Sequence, residues 1–119
     1  MLVQKIEQVP LCGSMMVIYK MFDLNKIAGF NWDEGNARKN EKHGVSMAEA
    51  EQVFFNAPLL LLEDNAHSRQ EPRIHALGKS DEGRALHIPL TLRQSGQLIR
   101  VISARDMHRK ERAIYEQAA

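Results

Sequence analysis

Between Leu59 and Ala104 the chain alternates short apolar, β-branched segments with polar turn signals, and that order narrows the architecture sharply. Leu59 to Leu62 is an apolar run that turns acidic at Glu63 and Asp64, the end of a buried strand. Asn65 to Pro72 is a polar loop. Arg73 to Lys79 then forms a strand, Ser80 to Gly83 a turn, and Arg84 to Leu92 another strand. Gln94-Ser95-Gly96 turns the chain into a strand from Gln97 to Ala104. Strands joined by short turns pair antiparallel, so the segment predicts a meander sheet. Pro89 removes a ladder donor inside its strand, which places it at an edge or a bulge.

Helices flank this block. Phe30 and Trp32 alternate with Asn31 and Asp33 as a short half-buried strand. Asp33 can cap a helix from Glu34 to His43, which Gly44 ends in the left-handed conformation. Ser46-Met-Ala-Glu49 is a capping box with Val45 and Ala50 in staple positions. The helix it opens carries Ala50, Val53 and Phe54 on one face and stops before Pro58. A last helix is expected from about Asp106 to Gln117. The order β-α-α-β-β-β-β-α is an α+β fold, an antiparallel meander sheet with helices packed on it. This domain spans residues 28–119. Residues 1–27 lack a clear period and contain Met15, Met16 and Met21 as further start sites. They are expected to be an N-terminal extension, partly disordered or laid against the domain as an extra strand.

At 119 residues the chain can build one core. The net charge of +1 gives no hint of a nucleic-acid partner, but its distribution does. Glu49 to Glu71 carries five acids and one base, and Arg93 to Arg112 carries six bases and two acids. Such polarity suits an anion-binding face, or simply a solvated helix beside an acidic loop. A single cysteine, Cys12, excludes an internal disulfide and is compatible with a cytoplasmic protein. No apolar run reaches the roughly 18 residues of a membrane helix. Val9 to Tyr19 is apolar but broken by Pro10 and Gly13, and it lacks the basic start and cleavage site of a signal peptide.

The stretch Leu98-Ile-Arg-Val-Ile-Ser-Ala-Arg105 places one arginine inside an aliphatic strand and another at its exit. A mid-strand arginine costs desolvation unless it meets an anion or a carboxylate. Arg73 could face Arg100 from another strand of the sheet. Arg100 and Arg105 differ in parity, so a regular strand points them to opposite faces. For both to reach one phosphate, the strand must end or twist between them. Surface or salt-bridged arginines are the plain alternative. Lys42 and His43 close the first helix. His43 could move a proton near neutrality, or merely answer the helix dipole. Lys42 could orient phosphate. Glu111 and Tyr115 share a face of the last helix, with Glu111 placed to pair with Arg105 or Arg109. Tyr115 is expected to pack its ring and keep its hydroxyl wet. Phe30 and Trp32 read as core, with base stacking the alternative. His75 and His87 lie on adjacent strands, but no Cys or carboxylate stands at ligand spacing beside them.

Taken in order, Phe30-Asn-Trp-Asp33, Asn40-Glu-Lys-His-Gly-Val45, Ala50 to Phe54, Arg73 before Leu77-Gly78, Ile99 to Arg105, and Glu111-Arg112 with Tyr115 resemble the BrnT toxin family. The resemblance covers about residues 28 to 117. It implies a RelE-like fold and RNA cleavage without metal or other cofactor, within a type II toxin–antitoxin system. It also implies a ribbon-helix-helix antitoxin (BrnA-like), a hetero-oligomer such as a toxin–antitoxin heterotetramer, and contact with operator DNA only through the antitoxin. Two positions depart from the family pattern. His108 stands where a Thr or Ser often caps the last helix, so Asp106 is expected to start that helix earlier. Pro89 replaces a plain β-branched residue.

The chemistry can be stated from the residues alone. Attack of a 2′-hydroxyl on the adjacent phosphorus builds charge on the phosphate oxygens. Fixed cations must neutralise it while a proton leaves the 2′-oxygen and another reaches the 5′-oxygen. Arginine holds two phosphate oxygens in its planar fork and stays charged. Arg73, Arg100 and Arg105 are the candidates for this task, with Lys42 and His43 for proton transfer or phosphate orientation. A binding module that uses the same basic face without chemistry is the main alternative. A small metal hydrolase built on His75 and His87 is the third.

Overall fold

The meander is present, but it is part of a larger and mixed sheet. The computed structural model describes residues 5–11, 14–19, 27–32, 35, 43–64, 73–93 and 97–118. The expected helix from Glu34 to His43, and with it Lys42, lies outside the described residues apart from single positions. The strands are β1 (Lys5–Leu11), β2 (Ser14–Tyr19), β3 (Gly29–Phe30), β4 (Leu60–Asp64), β5 (Ile74–Lys79), β6 (Ala85–Arg93), β7 (Leu98–Val101) and β8 (Arg105–Asp106). The helices are α1 (Met47–Val53) and α2 (Arg109–Ala118). The sheet runs β1-β2-β4-β5-β6-β7-β3, with β8 also paired to β6. β1 pairs antiparallel with β2, and β2 pairs antiparallel with β4.

The antiparallel expectation holds for β4 through β7 and fails for β3. Gly29 and Phe30 run parallel to Leu98 and Ile99. A parallel neighbour needs a long crossover. The chain between β3 and β7 supplies one, since it holds α1 and the first three meander strands, β4 to β6.

Opposed residues of paired strands share a face, so the register sorts the side chains into two layers. On one face Leu86, Ile88 and Leu90 of β6 join Leu61, Ala76, Ile99 and Val101 beneath α1, which contributes Ala50 and Val53. Phe30 and Trp32 pack against this layer, as expected of core residues. Trp32 Nε1–H also donates to Glu51 Oε2 at 2.7 Å. On the other face Leu60, Leu62, Leu77 and Ala85 meet Met107 and Tyr115 beneath α2. Gly78 permits the close seat of α1, because a Cβ there would lie 2.7 Å from Val53 Cγ1.

The ends of both helices follow local chemistry. Gly44 has φ of +69°, the left-handed conformation expected of it. Ser46 caps α1 by accepting from the Glu49 backbone N–H at 3.0 Å. The other half of that capping box is absent. Glu49 Oε1 instead takes Arg84 Nη1 at 3.1 Å. The last helix begins at Arg109 and not at Asp106. Asp106 ends β8 and holds the Arg84 guanidinium at 2.7 and 3.0 Å. Glu111 takes over the capping role, accepting the His108 backbone N–H at 2.7 Å. Tyr115 is buried, and its hydroxyl donates to the Pro58 carbonyl at 2.7 Å, where water was expected.

Candidate active site

α2 covers only one end of its face of the sheet. Beside and beyond it the same face carries polar groups: His87 and Arg105 against Glu111 of α2, then Arg73, His75, Thr91, Arg93 and Arg100, read from the pairing register. Thr91 opposes Arg100 across β6 and β7. Ile74 opposes Leu90. Carried one residue further, that register sets Arg73 abreast of Thr91. Arg73, just before β5, and Arg100, on β7, therefore flank Thr91 from either side of β6. Arg100 Nη1 donates to Asn31 Oδ1 at 2.6 Å, which fixes the guanidinium from the parallel strand side. Asn31 is itself held by its backbone N–H on the Ile99 carbonyl at 2.8 Å. Thr91 Oγ1 is buried without a hydrogen-bond partner.

The parity conflict between Arg100 and Arg105 is resolved by a bulge. Leu90 opposes Val101, whereas His87 opposes Arg105. Three steps on β6 thus face four steps from 101 to 105, leaving one surplus residue within 102–104. Val101 and Ala104 both lie in the α1-side core, which a regular strand would forbid. Arg100 and Arg105 in consequence share the polar face. Pro89 explains where the bulge sits. Its carbonyl accepts from Ile102 N–H at 2.8 Å, and its missing donor leaves the same side of the strand, toward 102–104.

Arg105 is committed to a carboxylate. Its Nη1 and Nη2 donate to Glu111 Oε1 and Oε2, both at 2.9 Å. Glu111 is 1% exposed. Burial pushes its pKa up, but the Arg105 fork and the His108 N–H outweigh that and hold it below the usual carboxylate range. Glu111 is thus the organiser of Arg105, one of the two partners open to it from spacing alone. The exposed charges Arg109, Lys110 and Arg112 project from α2 into solvent.

His43 is not brought to this face. It is exposed at the turn before α1, where its carbonyl accepts from Arg84 Nη2 at 3.1 Å. Arg84 precedes Thr91 by seven residues along β6, about 23 Å at strand rise. Arg84 went unnoticed in the sequence, yet it ties His43, Gly44, Glu49 and Asp106 together. The hydrogen bonds and charge of Asp106, helped by Glu49, outweigh burial and hold its pKa well above the ordinary arginine value.

His75 and His87 meet directly. His75 Nδ1 lies 2.7 Å from His87 Nε2, with the rings inclined by 13°. A contact that short between nearly parallel rings is in-plane, edge to edge, as a hydrogen bond requires. The five residues between β5 and β6, an odd number, put both rings on one face as diagonal neighbours. On its other side His87 Nδ1 lies 3.3 Å from Glu111 Oε2. Burial holds His87 well below the ordinary histidine pKa, and Arg105 adds to the effect. His87 is therefore neutral near pH 7 and its contact with Glu111 is not an ion pair.

Among the described residues no group of three or more metal-ligating side chains converges. No helix among them is long and apolar enough to cross a membrane. No curated protein matches the chain. A family model described as the ribonuclease toxin BrnT of type II toxin–antitoxin systems matches residues 32–111. That span takes in α1, the meander and the start of α2, and with them Arg73, Arg100, Arg105 and Glu111. The chain belongs to the BrnT family of ribonuclease toxins of type II toxin–antitoxin systems.

Proposed function

We propose that this protein is a RelE-like, metal-independent endoribonuclease that cleaves RNA by attack of the 2′-hydroxyl on the adjacent phosphorus. The toxin domain is residues 28–119, with residues 1–27 an extension. The observation that carries the proposal is the placement of Arg73 and Arg100 on either side of Thr91. Two guanidinium groups on either side of β6 suit the equatorial oxygens of one phosphate, and fixed cations need little reorganisation as the transition state forms. Asn31 keeps Arg100 aimed. Arg105 acts at one remove, spending its fork on Glu111 and adding positive potential to the face. Arg93 adds to the same potential from the exposed end of β6.

A type II toxin acts with an antitoxin. In this proposal the antitoxin is a ribbon-helix-helix protein whose acidic or apolar residues cover Arg73 and Arg100 in the cytoplasmic complex. The complex is a heterotetramer that contacts operator DNA through the antitoxin.

RNA cleavage by the purified chain in EDTA tests the proposal. Wild type should cut. Arg100→Ala should lose about 10²–10³-fold in rate, the usual effect of removing one transition-state donor, and Arg73→Ala a comparable amount. If wild type binds RNA but never cleaves it, the face is a binding module. Abolition by EDTA would overturn metal independence.

A further inference from the structure

We infer that His75 is the proton-transfer residue of this site and that His87 and Glu111 are its positioning residues, linked in the order Glu111, His87, His75. The inference rests on the proposal that the Arg73 and Arg100 face cleaves RNA. Three observations join in it. The two imidazoles share a hydrogen bond of 2.7 Å. The inner ring is 4% exposed and lies 3.3 Å from a carboxylate that is itself buried. The outer ring, half-buried, stands two residues from Arg73 on the same face and diagonal to Thr91, which opposes Arg100.

Electrostatics sets the direction of the chain. His87 Nδ1 makes no hydrogen bond, but it lies 3.3 Å from the ionised Glu111 carboxylate, whose charge favours the single proton of neutral His87 on Nδ1. His87 Nε2 must then accept, and His75 Nδ1 is the donor in the shared bond. A neutral His75 held in that tautomer carries its lone pair on Nε2. The depressed pKa of His87 keeps the inner ring neutral and the relay intact near neutrality.

In the reaction, the proton on the 2′-oxygen passes to His75 Nε2 as the O2′–P bond forms. The P–O5′ bond breaks, and the same proton passes to the departing 5′-oxygen. The products are a 2′,3′-cyclic phosphate and a 5′-hydroxyl, and His75 returns to its starting state. The transient imidazolium is stabilised through His87 toward Glu111, whose charge Arg105 shares. Among the described residues, the charged or titratable groups around the pair include Arg73 just before β5, Arg105 on β8, and His108 and Glu111 at the start of α2. β4 offers the apolar Leu62 opposite His75.

Two measurements on the full chain test this. The first is the ¹⁵N–¹H correlation spectrum of the histidine rings at pH 7.5. It should show His75 and His87 both protonated at Nδ1. Protonation of both rings at Nε2 would reverse the relay and overturn the inference. The second is the single-turnover cleavage of a labelled oligoribonucleotide against pH, with a 2′-deoxy analogue reporting binding. His75→Gln should bind the analogue as wild type does and cut about 10²–10⁴-fold more slowly. It should also lose the acid limb of the pH profile. His87→Gln should keep that limb but move it, an effect that packing alone would not produce. If Arg100→Ala abolishes cleavage while His75→Gln cuts within about twofold of wild type, the inference fails and the ribonuclease proposal stands. If wild type does not cut at all, it is the ribonuclease proposal that fails.

Discussion

Strand β6 has two faces that are almost equally buried and differ in kind. Leu86, Ile88 and Leu90 are sealed in an apolar layer beneath α1. On the other face Ala85, His87 and Thr91 are nearly as inaccessible, at 8%, 4% and 5% exposed. There the buried atoms include an imidazole bonded through Nε2 to a second ring, and an imidazole Nδ1 and a hydroxyl with no hydrogen-bond partner. Burial on the first face contributes stability and little else. Burial on the second fixes the direction of groups that can bind charge and move protons, at some expense in stability.

The largest effect that would sharpen this contrast is truncation on the apolar face. Ile88→Ala should cost about 2–5 kcal/mol in urea unfolding, because nothing can fill the space between β6 and α1. RNA cleavage by the fraction still folded should be unchanged. A cost below about 1 kcal/mol would show that the two faces are equally forgiving. Next comes Glu111→Gln on the polar face. It removes the buried charge and turns one of the two oxygens that accept from Arg105 and the His108 N–H into a donor, and should cost about 1.5–3 kcal/mol. A neutral unfolding result would mean that Arg105 finds another partner.

The pH dependence of stability separates the faces more finely. His87 has its pKa lowered on folding, so the unfolded chain takes up its proton first as pH falls. The stability tied to a neutral His87 is present above about pH 6.5 and is lost as pH drops toward its folded value. Glu111 is also lowered, so its contribution is present above the ordinary carboxylate pKa and is lost further into acid. Wild type should therefore weaken between pH 7 and 5 by up to about 1.4 kcal/mol per unit. His87→Gln should flatten that interval while leaving the acid step of Glu111. An equal slope in both proteins would remove His87 from the account. The smallest effect belongs to Thr91→Val, which deletes an orphaned hydroxyl without changing shape. It should be neutral or stabilising, within about 1 kcal/mol by thermal melting. A clear loss would reveal a partner for that oxygen.

The sequence made these faces only partly legible. The alternation from Leu59 to Ala104 located the meander because a period of two is a local property. Ser46 and Gly44 were legible for the same reason, each acting within one turn of chain. Strand parity allowed Arg73 and Arg100 to share a face, and the register carries both to the face of Thr91. The parallel seat of β3 was not legible, since it depends on a crossover that no local pattern encodes. Nor was the hydrogen bond of His75 to His87, which rests on the length of the loop between β5 and β6. Boundaries off by one residue there turn a facing pair into an opposed one. Arg84 was missed because its four partners are scattered from His43 to Asp106. The end of α2 misled for a simpler reason. Asp106 is a better cap than His108, but β8 and Arg84 claim it first.

Pro89 and the surplus residue in 102–104 cancel one another. Either one alone would leave a gap in the ladder. Shortening the segment by one residue would bring a carbonyl to a proline that cannot answer it. Replacing Pro89 with valine would aim an N–H at a stretch one residue too long. Making both changes should give an unbroken ribbon from Leu98 to Asp106 with the same side chains on each face. What such a protein would lack is the joint. In the chain as it stands, Arg100 and Arg105 ride on two short segments that can be aimed separately, one by Asn31 and the other by Glu111. The interruption converts one stiff rod into two adjustable mounts.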